Sequence, residues 1–310
     1  MKSAKYIELQ TESLARVIEF TRANNSAQLV IMQAGNTIVS KSFDPSPVDV
    51  FAVQKGLLSI LIGIAEEKYL LESCDAINHH LAPKWTNLSP WAEASLTIET
   101  LLAMTTGMDD ELNELGTVGQ SWRYNNTAYN YLKKILCLHT DMTLNELSVE
   151  WLFGPLDMNE TRWIDRPQLL PDGTPVSGIT STAADLAKIG QLILNNGNHN
   201  GNSIVPSHYL KQMTAPGSKE NPAWGYCWWN NNQSHHRQPF KEHKTIKGTI
   251  LPTAPADLVA ARGLLENGLY IIPSLQLVVA RTALPRAEKK HRERFEQSFW
   301  RDILRLNENY

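Results

Sequence analysis

The chain has 310 residues, of which 42% are hydrophobic and 20% are charged, and its formal net charge at pH 7 is −3. A chain of this length buries a substantial core, and its balanced charge gives no electrostatic reason to expect nucleic acid or a membrane as a partner. With three cysteines, no secretion signal and no apolar run long enough to span a bilayer, the sequence predicts a cytoplasmic protein.

The first third of the chain predicts a helix, a hairpin and a buried helix. Apolar residues recur with helical period from Ile7 to Ala23. Two strand-like runs follow, Gln28 to Gln33 and Thr37 to Phe43, and the turn residues Ala34-Gly35-Asn36 between them favour a hairpin. From Ala52 to Lys68 the apolar pattern is again that of a helix with a buried face.

The rest of the chain changes from helices and loops to strands. A helix is expected from Thr182 to Leu194, with Asn196-Gly197 as its stop. A final helix is expected from Lys289 to Leu306. The strands expected between these helices are Trp224 to Trp229, Leu258 to Ala261, Gly268 to Ile272 and Leu277 to Thr282.

This order of elements predicts an α+β fold whose antiparallel sheet is assembled from both ends of the chain and flanked by helices. We expect a single domain over residues 1–310. Its α/β part should comprise about 1–70 and 200–310, and an all-helical region should comprise about 71–199.

Four stretches, in this order and spacing, connect nearly the whole chain to one known family. They are LLAMTTGM at 101–108, FGPLDM at 153–158, GITSTAADLAKIG at 178–190 and WGYCWW at 224–229. In them the chain resembles the serine β-lactamase and penicillin-binding-protein superfamily, and in particular its class C β-lactamase-related esterases and amidases, including the 6-aminohexanoate-dimer hydrolases. The resemblance implies a β-lactamase/transpeptidase-like fold and cleavage of a small ester or amide through an acyl-enzyme, with no cofactor.

The first motif of that family is Ser-x-x-Lys at the start of a buried helix. Residues three apart share a helix face, so the lysine amine lies beside the serine hydroxyl and accepts its proton. Lys55 matches the lysine, and the position of the serine nucleophile is then occupied by Ala52. Ser59 is one turn further into the helix, where its side chain is expected to point into the core.

The second motif is Tyr-x-Asn on a loop that faces the lysine. Tyr124 and Asn126 match it. The resemblance implies that Tyr124 is a general base or acid and that Asn126 orients the lysine and the substrate carbonyl. The alternative is that Tyr124 is a half-buried aromatic residue at a helix start.

The third motif should lie on a strand at the edge of the site, where the family is rich in Gly and His. This chain differs there, although the strand's role is to supply a backbone N–H to the oxyanion hole, which any residue except proline provides. We also expect Trp228 as a wall of the substrate pocket. The substrate-binding residues predicted at the strand are Gly263, Leu264, Leu265, Glu266 and Asn267.

Other residue clusters are not expected to carry chemistry. The histidines show no helix-spaced pairing with a further ligand, so we expect no metal and a surface position for each. Cys227 lies close to the expected cleft and is either a thiol near the pocket or, as we favour, an inert buried cysteine.

Three explanations for Ala52 remain open: a deliberate serine-to-alanine replacement, natural loss of covalent chemistry, or reuse of Lys55 and Tyr124 for acid–base work without an acyl intermediate. The leading hypothesis is a serine hydrolase that is impaired as written. The alternative is a non-catalytic protein that binds a small acyl or peptide-like ligand, or a partner protein, in the same cleft. The sequence does not decide the oligomeric state.

Overall fold

The hairpin at the start of the chain pairs with the strands at its end. The computed structural model describes residues 11–241, 243–285 and 292–305. The strands are β1 Ser26–Gln33, β2 Asn36–Ser42, β3 Val48–Asp49, β4 Arg162–Leu169, β5 Pro175–Ser181, β6 Asn198–His199, β7 Asn202–Ser203, β8 Trp229–Asn230, β9 His235–His236, β10 Ile246–Lys247, β11 Val259–Arg262, β12 Gly268–Ile272 and β13 Leu277–Ala283.

Nine α-helices surround these strands in the described part of the chain. They are α1 Thr11–Ala23, α2 Gln54–Glu67, α3 Pro90–Ala94, α4 Ile98–Leu102, α5 Asn126–Thr140, α6 Leu144–Ser148, α7 Ala183–Leu194, α8 Ser207–Met213 and α9 Arg292–Leu304. None of these helices combines the length and the apolar character that a membrane crossing needs.

A six-stranded antiparallel sheet with the order β2-β1-β13-β12-β11-β8 is the centre of the fold. Strands β1 and β13 pair in its middle, with Ile31 opposite Val279. Every residue of β13 is buried, because helices cover both faces of the sheet. The prediction of an α+β fold with a sheet built from both chain ends is therefore confirmed.

Two residues of β13 that point to opposite faces of the sheet show which helices cover it. Val278 packs against Gly190 of α7, where an added Cβ would lie 2.4 Å from a Val278 methyl carbon. Arg281 lies three residues further along and so points to the other face, where its guanidinium carbon is 4.4 Å from the ring centroid of Phe295 in α9. Glycine at position 190 thus permits the close approach of α7.

Helix α2 is buried among the other helices and the sheet edge. Two of its glycines admit large aromatic side chains, since a Cβ at Gly56 would lie 2.9 Å from the Trp228 indole and one at Gly63 would lie 2.3 Å from the Tyr209 ring. The first turn ahead of α2, Phe51–Val53, is a 3-10 turn that starts from a left-handed Phe51 (φ 51°). Ala52 therefore lies in the turn ahead of α2 rather than in the helix itself.

The stretch 71–199, expected to be helical, also contains strands. Here β4 and β5 form a three-stranded sheet with β3, in the order β3-β5-β4. This small sheet connects the helical part to the segment that precedes α2.

The predicted strand from Trp224 to Trp229 is wrong over most of its length. The segment folds back on itself, since Trp224 forms an isolated bridge with Trp229 and Cys227 has a left-handed backbone (φ 61°). The Cys227 N–H and the Trp224 indole N–H both donate to the Leu102 carbonyl oxygen rather than to a neighbouring strand. Only Trp229 enters a strand.

The remaining predicted elements agree with the structure within a few residues. The predicted first helix is observed from Thr11, and the last helix is observed over Arg292–Leu304. Residues 7–10, 289–291 and 306 of those two predictions lie outside the described residues.

Candidate active site

A cavity of about 1350 Å³ opens where the starts of α2 and α5 meet the end of β11. Ala52, Lys55, Tyr124 and Asn126 all line it. The structure therefore brings together the four predicted residues of the first two motifs. Residues within 166–170, 236–241 and 244–252 also contribute to its walls.

Lys55 is the buried cation of this cavity. It is the second residue of α2, its relative exposure is 4%, and its Nζ donates a 2.9 Å hydrogen bond to Asn126 Oδ1. The amine also lies 4.9 Å from the ring centroid of Tyr124 and 4.4 Å from that of Tyr129. Among the described residues no carboxylate forms an ion pair with it.

This environment favours the neutral amine. Burial lowers the pKa of Lys55 to about 8, and the carboxylate of Asp110 acts in the opposite direction. The Cys227 thiol is close by, and burial raises its pKa to about 12, so it stays protonated at neutral pH. Lys55 is therefore suited to accept a proton near neutral pH.

The start of α5 holds the second motif in place. Asn125 is the N-cap, and its side chain accepts from the Ala128 N–H at 2.8 Å and donates to the Asp109 carbonyl at 2.6 Å. The Asn126 N–H in turn donates to Asp110 Oδ1 at 2.8 Å. The loop that follows the 101–108 stretch thus positions the residue that holds Lys55. Asn125 and Asp110 were not singled out from the sequence, although an Asn before a helix is a recognisable cap signal.

Ala52 presents a methyl group where an oxygen would be needed. Its position is fixed by the preceding residues, since the Phe51 N–H donates to Asp49 Oδ1 at 2.9 Å and Asp49 pairs with Arg166 at 2.5 Å. Ala52, in the 3-10 turn ahead of α2, and Leu264, in the 3-10 turn after β11, both line the cavity.

Gly263 allows the end of β11 to approach residue 52 closely. A Cβ at Gly263 would lie 2.2 Å from the Val50 carbonyl oxygen and 3.2 Å from the Ala52 nitrogen. Leu264 follows directly, lines the cavity and is 58% exposed. The backbone of β11 thus reaches the helix start that carries the first motif.

A family model described as Beta-lactamase matches residues 14–281. The chain belongs to the β-lactamase family. Its sequence is 26% identical to an uncharacterised protein of Alkalihalophilus pseudofirmus. The match extends over 258 residues and covers 75% of this chain and 72% of that protein.

Solved structures of this family share the fold at low sequence identity. A Bacillus anthracis protein assigned to the 6-aminohexanoate-dimer hydrolases superposes with a TM-score of 0.69 at 17% identity, over 92% of this chain and 80% of that one. The octameric penicillin-binding-protein homologue of Pyrococcus abyssi has a TM-score of 0.68 at 16% identity, over 95% of this chain and 74% of that one. A D-stereospecific amidohydrolase of Streptomyces has a TM-score of 0.63 at 13% identity, over 88% of this chain and 94% of that one.

Only part of the third motif faces the cavity of this β-lactamase-family protein. Gly263 and Leu264 line it, whereas Leu265, Glu266 and Asn267 do not. Leu265 and Glu266 have left-handed backbones, and their carbonyl oxygens accept from the Arg281 guanidinium. Asn267 is fully buried and binds the Leu264 carbonyl and the Ala283 N–H, so its role is to hold the turn.

Trp228 is not placed at the cavity either. Its indole is fully buried against Gly56 and donates to that residue's carbonyl at 3.2 Å. The neighbouring Trp229 lines the cavity instead. Ser59 is also buried, with its Oγ 3.3 Å from the Tyr209 hydroxyl, and so is excluded as a substitute nucleophile.

The charge at the end of β11 is neutralised by α9. Arg262 pairs with Glu296 through two hydrogen bonds, of 3.0 and 2.5 Å, and both side chains are largely buried. This guanidinium is held by its partner.

A second buried lysine lies behind the cavity. Lys133 donates to Gln54 Oε1 at 2.9 Å and to the Ser177 carbonyl at 2.6 Å, and it lies 5.1 Å from the Tyr129 ring centroid. Burial lowers the pKa of Lys133 well below its usual range, and nearby Lys55 and Arg166 add to the effect. Lys133 was missed, although the spacing 126, 129, 133 on α5 places it on the face of Asn126.

Of the histidines predicted at the surface, His79 and His243 are exposed, whereas His80, His235 and His236 are partly or fully buried. His236 is buried, lines the cavity, and its Nδ1 is 3.0 Å from the Gly248 carbonyl oxygen. His80 is partly buried, with its Nδ1 2.7 Å from His139 Nε2. Within the described residues no three metal-ligating side chains come together.

Proposed function

We propose that the chain carries the substrate site of a small-ester or small-amide hydrolase, and that Ala52 stops the reaction before an acyl-enzyme forms. The observation that carries the proposal is the 2.9 Å bond from the buried Lys55 amine to Asn126, next to an alanine at the expected nucleophile position. The base and its orienting amide are assembled, yet position 52 offers no side-chain oxygen to attack.

The reaction of a serine-containing version follows from this arrangement. The oxygen of a serine at position 52 attacks the substrate carbonyl while Lys55 accepts its proton. The N–H groups of residue 52 and Leu264 bind the oxyanion. Tyr124 gives its proton to the leaving group and regains one from the protonated Lys55. Water then hydrolyses the acyl-enzyme by the reverse proton path.

Ester turnover by an Ala52→Ser variant tests this proposal. Loss of the nucleophile in such a unit costs about six orders of magnitude in turnover, so the variant should hydrolyse a p-nitrophenyl ester far faster than the chain as written. A second replacement, Lys55→Ala, should abolish the gain. A gain that survives Lys55→Ala would contradict the assigned base.

The second candidate is a binding protein that uses the same cavity without chemistry. Two features at the third motif favour it: Arg262 is engaged by Glu296, and Leu264 offers an apolar side chain where the family has Gly or His. A folded Ala52→Ser protein without esterase activity, which still gains thermal stability from a small amide, would support this candidate.

A cytoplasmic site of action is part of the same proposal. It is supported by the three cysteines, all of which are free thiols. Mapping free thiols in the protein isolated from its native cell would test it, since a disulfide would contradict it.

A further inference from the structure

The absence of an oxygen at position 52 leaves the Lys55 amine as the nucleophilic group that faces the cavity beside Ala52. Of the amine's hydrogen-bonding positions, one is used by Asn126 Oδ1, and its other near neighbours are the rings of Tyr124 and Tyr129. Ala52 has only a methyl group to place beside this amine. A ligand carbon that enters the cavity can therefore approach the nitrogen lone pair.

We propose that Lys55 binds a small oxo acid covalently, by forming an imine with its aldehyde or ketone carbonyl. This inference does not rest on the proposed function, since it uses neither a serine nor an oxyanion hole. It concerns amine chemistry at the same lysine.

The step is balanced without an added reagent. The Nζ lone pair forms a C–N bond to the carbonyl carbon while the C=O π electrons move to oxygen. Water carries a proton from nitrogen to that oxygen to give a carbinolamine. The nitrogen lone pair then expels the hydroxyl group, which leaves as water after protonation, and loss of the remaining N–H proton gives the neutral imine.

The surroundings of Lys55 favour this chemistry over that of an exposed lysine. Groups around the amine include Asp110, Cys227, Tyr124, Tyr129 and, behind Tyr129, Lys133. Burial lowers the pKa of Lys55 to about 8, although Cys227 and Asp110 act in the opposite direction. About a tenth of the amine is then neutral at pH 7, compared with well under a thousandth for an exposed lysine.

The charge around the cavity favours an acid as the carbonyl compound. Two of the lining cations, Arg166 and Arg262, are paired with Asp49 and Glu296. Three further lining lysines have exposed side chains and form no ion pair with the described residues: Lys241, Lys244 and Lys247. A carboxylate on the ligand would be attracted to these lysines while the carbonyl reaches Lys55.

Reductive trapping on the chain as written tests the inference. Succinic semialdehyde and butanal have the same four-carbon length and differ in the carboxylate, and cyanoborohydride converts either imine to a stable amine that peptide mapping locates. We expect Lys55 to be labelled at least tenfold faster than exposed Lys41 at pH 7, with a midpoint near pH 8, and faster by succinic semialdehyde than by butanal.

Lys55→Arg keeps the positive charge and should remove the adduct, and Lys41→Arg is the matched control that should leave it unchanged. The inference is overturned if Lys55 reacts no faster than Lys41, if Lys133 carries the adduct instead, or if butanal labels Lys55 as fast as succinic semialdehyde. None of these outcomes bears on ester turnover by Ala52→Ser, so the two proposals fail separately.

Discussion

Lys55 Nζ and Asn126 Oδ1 lie 2.9 Å apart and join the start of α2 to the start of α5. The acceptor is a neutral amide, so it orients the amine without supplying the negative charge that would hold a proton on it. Burial lowers the pKa of Lys55 to about 8, so an appreciable part of the amine is neutral near neutral pH. The chemistry of the site depends on this pair.

Replacing the amide by a carboxylate should therefore change the titration of Lys55. In Asn126→Asp, a carboxylate within hydrogen-bond distance favours the protonated amine and raises the pKa of Lys55. The pH midpoint of reductive trapping at Lys55 should then rise by at least about one pH unit. Asn36→Asp, in the exposed hairpin turn, is the control and should leave the midpoint unchanged. An unchanged midpoint in Asn126→Asp would mean that the pair does not control the amine.

Burial of Lys55 should cost stability at neutral pH. Its pKa is about 8 in the folded chain and near 10.5 when unfolded, so the unfolded state binds more protons between those pH values. The difference corresponds to about 3 kcal/mol, partly offset by the hydrogen bond to Asn126. Lys55→Met should thus unfold with a free energy about 1–2 kcal/mol higher at pH 7.

The pH dependence gives the sign of that effect. A buried lysine with a lowered pKa destabilises the fold fully below pH 8, and the penalty disappears as the pH rises toward 10.5. Urea unfolding at pH 7, 9 and 10 should show the advantage of Lys55→Met shrinking. A constant difference across this range would contradict the lowered pKa.

The close approach of β11 to residue 52 should tolerate no side chain at position 263. Gly263→Ala places a Cβ 2.2 Å from the Val50 carbonyl oxygen and so should push Leu264 away from Ala52. In the Ala52→Ser background we expect ester turnover to fall at least about tenfold, as is typical for loss of an oxyanion donor. Gly35→Ala, at a left-handed turn (φ 81°) far from the site, should lower stability without changing turnover.

Removing one member of the ion pair between Arg262 and Glu296 should cost more stability than removing both. Arg262→Met removes the guanidinium that pairs with the buried Glu296 carboxylate and should cost about 3–5 kcal/mol of unfolding free energy. Arg262→Met with Glu296→Met removes both charges and should recover most of that loss. Thermal unfolding of the single and double variants measures the coupling. If the double variant loses as much unfolding free energy as Arg262→Met alone, the loss does not come from leaving Glu296 without Arg262.

The sequence anticipated the parts of the molecule that rest on local patterns. The short apolar runs of β1 and β13 and the turn at Gly35 predicted these strands of the central sheet. The spacing of Ala52 and Lys55 placed both at a helix start, and both line the cavity with Asn126. In each case the signal lies within one element or one motif.

Other features depended on contacts between distant segments. The left-handed backbones of Leu265, Glu266 and Cys227 carry no glycine that would have indicated a turn. They are held by distant groups: the Arg281 guanidinium binds the carbonyls of the first two, and the Leu102 carbonyl binds the Cys227 N–H. These contacts turn three predicted substrate residues away from the cavity and break a predicted strand.

The most direct measurement is covalent labelling by a fluorophosphonate, made on this chain and on Ala52→Ser side by side. Our account predicts that only Ala52→Ser is labelled, at position 52, and that adding Lys55→Ala removes the label. Labelling of the chain as written at another residue, or no labelling of a folded Ala52→Ser protein, would contradict a hydrolase site that lacks only its nucleophile.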